Sequence, residues 1–267
     1  MTATPIRLGR GLLVACLTLA AVPVSAAEPF TQQRQFGQKY SPLDQINTDN
    51  VADLELAWEY HTGELDVEKG TLHAFQDAPS LIDGSLIICT TSRRLIALNP
   101  ETGEERWTFD AKSKITGMRK CRGISAWVDD EAAPEAMCKT RIFLGTADYR
   151  LFAVDSRTGK PCPEFGDGGK VVMQPSKPEI FPGEVSAGSR PAIVNGVVVV
   201  GSTVADDQRV EAPSGRILAF DARTGEPRWS FEPLARDPDD PASQTWEPGD
   251  AARHGGGNVW TEMAVDE

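Results

Sequence analysis

Positive charge is what this chain of 267 residues has least of: 27 Lys and Arg stand against 39 Asp and Glu, for a formal charge of −12. Without a cationic excess, little is available to neutralise a run of phosphates, which excludes a broad nucleic-acid surface. Histidine is scarce too. His61, His73 and His254 are the only three, and they are too scattered to make a zinc site. After residue 27 no apolar run is long enough to cross a bilayer. Cys-x-x-Cys-His is absent, so residues 1–267 hold no haem-attachment motif of that type.

The N-terminus reads as a leader. Arg7 and Arg10 precede the apolar stretch Gly11 to Val24, and Val24-Ser25-Ala26 ends it in small residues suited to a signal peptidase. Residues 1–27 are therefore expected to be a signal peptide, with residues 28–267 exported to the periplasm as one domain. Four Cys follow the leader: Cys89, Cys121, Cys138 and Cys162. An oxidising compartment lets them pair in three ways. The short charged loop between them favours Cys121–Cys138, and Cys89 reads equally as a reduced thiol inside a strand.

Glycine and proline are plentiful, at 24 and 19 residues, and suit a loop-rich all-β protein. One pattern, Ala-x-Asp/Asn-x-x-Thr-Gly-x-x-x-Trp, begins at Ala97, Ala153 and Ala219, with Pro163 in place of the Trp in the middle copy. Gly103, Gly159 and Gly225 fall 56 and 66 residues apart, a period that fits a four-stranded propeller blade with loop insertions. Each copy joins two apolar runs through a polar turn. Gly supplies positive φ there, Asp or Asn accepts backbone N–H bonds, and the Trp can pin one sheet against the next.

In chain order, Leu54–Tyr60 alternates at period two and predicts a half-buried strand that could close a ring by pairing with a last blade. Asp83-Gly84 and Asn195-Gly196, each between apolar runs, predict two-residue hairpins. Blades are expected at about 77–110, from Gly123 through the middle repeat, and from Pro191 through the third repeat. Pro161 and Pro163 predict a short outer strand in the second. Asp129-Asp130-Glu131 reads as a solvated acidic loop, residues 233–253 as a long inter-blade loop, and Asn258–Val265 as the opening strand of a fourth blade. The expected fold is a partial β-propeller, and three blades fall short of a closed ring.

The repeats, with Gly37–Ile46, Cys121-Arg122-Gly123 and the segment from Arg141 to Trp229, resemble the quinoprotein alcohol and sugar dehydrogenases, most closely the glucose/quinate-type branch. Those enzymes carry pyrroloquinoline quinone (PQQ) in an eight-bladed propeller, and the repeats are similar to their tryptophan-docking motif. The resemblance implies oxidation of an alcohol, sugar or polyol hydroxyl, with electrons passed to a quinone or cytochrome. It places Trp260 at the indole that stacks on the cofactor, with Asn258 in the segment leading to it, Lys39 at a cation near the cofactor, and Ser189 at the pocket wall. It places Asp206 and Asp207 at an acidic position associated with a Ca or Mg ion. The family's His before Cys-Arg-Gly has no counterpart in Gly117-Met118-Arg119-Lys120. Its catalytic Asp and quinone-contacting Lys belong to later blades, so residues 1–267 alone are expected to be inactive. The resemblance also implies a soluble product, with peripheral membrane association left open. A non-enzymatic propeller scaffold, of the kind found in outer-membrane assembly proteins, is the alternative.

Overall fold

The computed structural model describes residues 43–64, 73–114, 119–205 and 208–266. In chain order its strands are β1 (His73–Phe75), β2 (Ser80–Ile82), β3 (Ser85–Cys89), β4 (Arg94–Leu98), β5 (Glu105–Asp110), β6 (Arg119–Cys121), β7 (Ser125–Val128) and β8 (Thr140–Gly145). There follow β9 (Arg150–Asp155), β10 (Lys170–Val172), β11 (Val185–Ser186), β12 (Ala192–Val194), β13 (Val197–Val200), β14 (Thr203–Val204), β15 (Ile217–Asp221) and β16 (Pro227–Phe231). Three antiparallel four-stranded sheets result, in the orders β2-β3-β4-β5, β7-β8-β9-β10 and β12-β13-β15-β16. Each is a propeller blade running from inner to outer strand. The fold is a partial β-propeller.

The hairpins form where the turn residues place them. Asp83 and Gly84 take φ 46° and 70°, and Asn195 and Gly196 take 47° and 71°, so both central residues of each turn are left-handed, as a twisted two-residue hairpin requires. The outer strand of the second blade, β10, has three residues and joins β9 only after the proline-containing stretch.

The first two repeat turns each receive an indole from the preceding unit. Trp107 donates its Nε1–H to the Ser156 carbonyl at 3.1 Å, and a Cβ added at Gly159 would lie 2.5 Å from the Trp107 ring. Trp58 meets the first repeat likewise: its Nε1–H reaches the Pro100 carbonyl at 3.1 Å, with Gly103 under the ring. Residues 54–60 therefore do not form the expected strand. They have no ladder partner among the described residues, and lean on the first blade through Trp58 and through Tyr60, whose hydroxyl donates to Glu105 at 2.7 Å. Where Pro163 replaces Trp, buried Phe165 fills the space, and the Gly166 N–H donates to the Thr224 carbonyl at 2.8 Å in place of an indole. Trp229, the third copy, stays half exposed.

These docks yield a controlled prediction. Gly84→Ala meets nothing within 4 Å and pays only for left-handed backbone, about 1 kcal/mol, whereas Gly159→Ala also drives a methyl into Trp107, adding about 1–3 kcal/mol. Urea unfolding of the two variants should separate them by that difference. Equal losses would remove the indole from the role assigned to it.

Apolar cores lie between successive sheets. Ile87, Leu95, Ile142 and Phe152 join the first to the second, and Phe143, Phe165, Val198 and Phe220 join the second to the third. Two disulfides border them, and both correct the expected pairing. Cys89 bonds Cys121 and Cys138 bonds Cys162, because β6 returns beside the end of β3, and the turn after Asp155 returns beside β8. Cys121–Cys138 does not form, and Cys89 is not a free thiol.

The acidic loop is not simply solvated either. Asp129 is buried and takes two bonds from Arg223 of the third blade, at 2.6 and 2.7 Å, while Glu131 takes a third at 2.6 Å. Arg223 holds the Asp129 carboxyl below its ordinary value. A depressed carboxylate pKa adds stability above the unfolded value, about 3.9, and that stability is lost as pH falls from there through the folded value. Asp129→Asn should therefore flatten the acid limb of a stability-versus-pH curve below about pH 4. An unchanged limb would contradict the pairing.

The long loop, residues 232–257, holds a 3-10 turn (Pro241–Thr245), a short α-helix, α1 (Asp250–Arg253), and Trp246 tilted against His254 at 5.3 Å. Residues 258–266 then run without a ladder partner among the described residues. Met263 and Val265 pack on Ala192, Val199 and Ala219, the outward face of the third blade.

Candidate functional site

In every blade the innermost strand begins, and the second strand ends, at one rim. The Thr-Gly turns and their indoles occupy the opposite rim. The first rim gathers an unusual set of side chains. Arg122 follows β6, Arg93 sits in the β3–β4 turn, Gly188 and Ser189 follow β11, and Ser202 and Thr203 follow β13. Segment 258–260 comes to the same rim. Gly201 and Gly215 allow its close approach: a Cβ at Gly201 would lie 2.3 Å from the Val259 carbonyl oxygen, and one at Gly215 would lie 2.4 Å from Asn258 Cβ. Ser189 Oγ donates to that Val259 carbonyl at 3.2 Å.

The result is a flat aromatic face beside concentrated positive charge. Trp260 is 51% exposed, and the Arg122 guanidinium stands 4.9 Å from its ring centroid. The buried Nη1 of Arg122 has no hydrogen-bond partner among the described residues, nor do the hydroxyls of Ser202 and Thr203. Burial lowers the Arg122 pKa. Buried donors without acceptors are costly and uncommon, so this cluster is suited to an acceptor from outside the chain. Glu64 fixes the turn that carries Arg93. Its carboxylate accepts from Thr90 and Arg94 at 2.6 and 2.7 Å, and from Thr91 and the Ser92 N–H at 2.9 Å. Although burial opposes it, those bonds hold the Glu64 pKa below its ordinary value.

Of the residues expected from sequence, Trp260, Asn258 and Ser189 come together here. Lys39, Asp206 and Asp207 lie outside the described residues, as do Met118 and the leader. Among the described residues no group of three or more His, Cys, Asp or Glu could hold a metal ion. Arg122, Arg93 and Thr203 were not assigned roles from sequence. Arg122 lies inside Cys121-Arg122-Gly123, where a cation beside a glycine is the available signal. A cavity of about 580 Å3, lined by Trp127, Asn195, Arg223 and Trp229, lies on the opposite rim and shares no residue with this site. Its wall includes a half-exposed repeat Trp, and it offers none of the unpartnered donors, so it is the weaker candidate.

Comparison with known proteins bears on the family and the fold. The quinoprotein glucose dehydrogenase A of Acinetobacter calcoaceticus is 33% identical over 266 residues, covering 93% of this chain and 33% of that protein. The glycerol dehydrogenase large subunit of Gluconobacter oxydans is 34% identical over 232 residues, covering 85% and 31%. The chain thus spans about one third of the length of the curated relatives it matches. The crystal structure of quinohemoprotein alcohol dehydrogenase from Comamonas testosteroni superposes with a TM-score of 0.68 at 25% identity, over 89% of this chain and 33% of that one. A sequence profile described as the β-propeller domain of glucose, ethanol and alcohol dehydrogenases, under the heading PQQ, matches residues 29–267. The chain belongs to that PQQ-type dehydrogenase propeller family.

Proposed function

We propose that this chain forms the cofactor-holding part of a PQQ-dependent dehydrogenase that oxidises an alcohol, sugar or polyol hydroxyl and passes the electrons to a quinone or cytochrome. One observation carries the reading: an exposed indole, Trp260, lies beside a guanidinium whose buried Nη1 has no acceptor, with the equally unpartnered Thr203 hydroxyl near that Nη1 at Gly188. PQQ is a planar tricarboxylate, and its ring and its anionic edge call for those two kinds of group. When bound, it supplies the two-electron acceptor for the substrate C–H and O–H bonds.

The chain's own residues bind and orient. Trp260 would supply flat apolar contact and Arg122 the charge for a carboxylate, while Ser189 holds the 258–260 segment by its bond to Val259. We place Asn258 in the same wall and Lys39 near the cofactor. We assign Asp206 and Asp207 to a Ca or Mg ion, on the preference of such ions for carboxylate oxygen. No position in residues 1–267 matches the family's proton-accepting Asp or its quinone-contacting Lys. Turnover is therefore expected only from protein that supplies them. The signal-like residues 1–27 support export to the periplasm, with 28–267 as the mature domain.

Purified chain titrated with PQQ in the presence of Ca2+ should quench its Trp fluorescence saturably, and should not reduce an acceptor dye when glucose, glycerol or ethanol is added. Binding with dehydrogenase activity would overturn the expected inactivity. Failure to bind PQQ would overturn the reading and leave the scaffold alternative in its place.

A further inference from the structure

We infer that Arg93 is a second cation of the carboxylate site, set across Gly188 from Arg122 to hold an anionic edge of the planar cofactor. This rests on the PQQ reading above, and extends it to a residue that neither sequence pattern nor resemblance singled out.

Arg93 is 2% exposed. Its Nη1 donates to the Gly145 carbonyl at 2.6 Å and the Ala187 carbonyl at 3.2 Å, which ties the first blade to the second and to the segment after β11. Those carbonyls satisfy N–H groups but cancel no charge. No carboxylate pairs with Arg93 among the described residues; Asp148 and Asp77 attract it only from a distance, and its Nε has no partner. Burial, and then repulsion from Arg122, push its pKa down to about 10. A buried cation without a counter-ion, held beside a like charge, is an expensive arrangement that an anion would relieve.

The space for that anion is defined. A Cβ built at Gly188 would stand 3.0 Å from Thr203 Oγ1, 3.6 Å from Arg122 Nη1 and 3.9 Å from Arg93 Nη2. Gly188 therefore floors a hollow with three donor groups at its edge, and a carboxylate can accept from several donors at once. A purely mechanical tie between blades would need the carbonyl bonds of Arg93 but not this hollow, nor a second cation with an orphaned donor beside it.

The test compares wild-type chain with Arg93→Gln, Arg93→Lys and Gly188→Ala, by Trp fluorescence titration with PQQ and Ca2+ at several NaCl concentrations. Arg93→Gln should bind about 10-fold more weakly, with a shallower dependence of affinity on salt, because one charge has been removed from the contact. Arg93→Lys should restore the salt dependence more fully than the affinity, since it keeps charge and loses the fork. Gly188→Ala, which fills the hollow, should weaken binding while its thermal melt stays near that of wild type. Folded Arg93→Gln with wild-type affinity and salt dependence would overturn the inference and leave Arg93 as a blade tie. Should Arg93→Gln not fold, wild-type binding by Gly188→Ala, or equal affinity of wild type for PQQ and its trimethyl ester, overturns it instead. Absence of PQQ binding by wild type overturns both this and the function it rests on.

Discussion

Arg122→Ala is expected to weaken PQQ binding about 100-fold. Its Nη1 is buried without a partner, and Arg122 is one of two guanidiniums at the Gly188 hollow. A hydrogen bond to a charged group contributes about 1.5–3 kcal/mol, and 1.4 kcal/mol is tenfold in affinity. Trp260→Ala should cost less, about 30-fold, from loss of stacking and of the flat apolar area it covers. The two losses should not add, because Arg122 sits 4.9 Å from the Trp260 centroid and each positions the other. Isothermal titration of both single variants and the double variant measures that coupling. Independent losses would mean that the two side chains do not share a ligand.

The Cys89–Cys121 bridge should matter for both stability and binding. It closes a separation of 32 residues, and Cys138–Cys162 closes 24. The chain-entropy relation gives about 3.7 and about 3.4 kcal/mol for loops of those lengths. Replacing Cys89 and Cys121 together by Ala should therefore lower the melting temperature by roughly 7–15 °C for a domain of this size. The Cys138/Cys162 double variant should lose nearly as much stability. Only the first should also weaken cofactor binding, since Cys121 immediately precedes Arg122 and β1 pairs with β6 just before it. Calorimetry with and without PQQ separates the two effects. A first-bridge variant that melts early yet binds normally would show that Arg122 is placed by the sheet alone.

The elements legible in the sequence were those whose causes are local. Asp83-Gly84 and Asn195-Gly196 fix their hairpins through their own backbone preferences, and the Thr-Gly turns carry their Asp or Asn acceptor within the same few residues. Blade count and strand order followed from these turns. What depended on distant partners was misread. Residues 54–60 alternate like a strand, but a strand needs a ladder partner, and Trp58 instead found a carbonyl 42 residues away. The cysteine pairing depended on which distant strand ends meet, β6 beside β3 and the turn after β9 beside β8. Asp129 looked like surface because its partner, Arg223, lies 94 residues along the chain.

The site divides along the same line. The resemblance pointed to Trp260 and Ser189, and the fold brings both to one rim. It did not point to Arg93, because an arginine between Ser92 and Arg94 looks like any solvated turn until the second blade and the segment after β11 close over it. Gly188 gave no more notice. Its importance lies in which donors surround the space it leaves.

The most direct test is a crystal structure of the chain grown with PQQ and Ca2+. The account predicts ring density against Trp260, with a carboxylate within hydrogen-bond distance of Arg122 at the Gly188 hollow. Cofactor density in the cavity between Trp127 and Trp229 on the opposite rim, with the Arg122 rim empty, would contradict it.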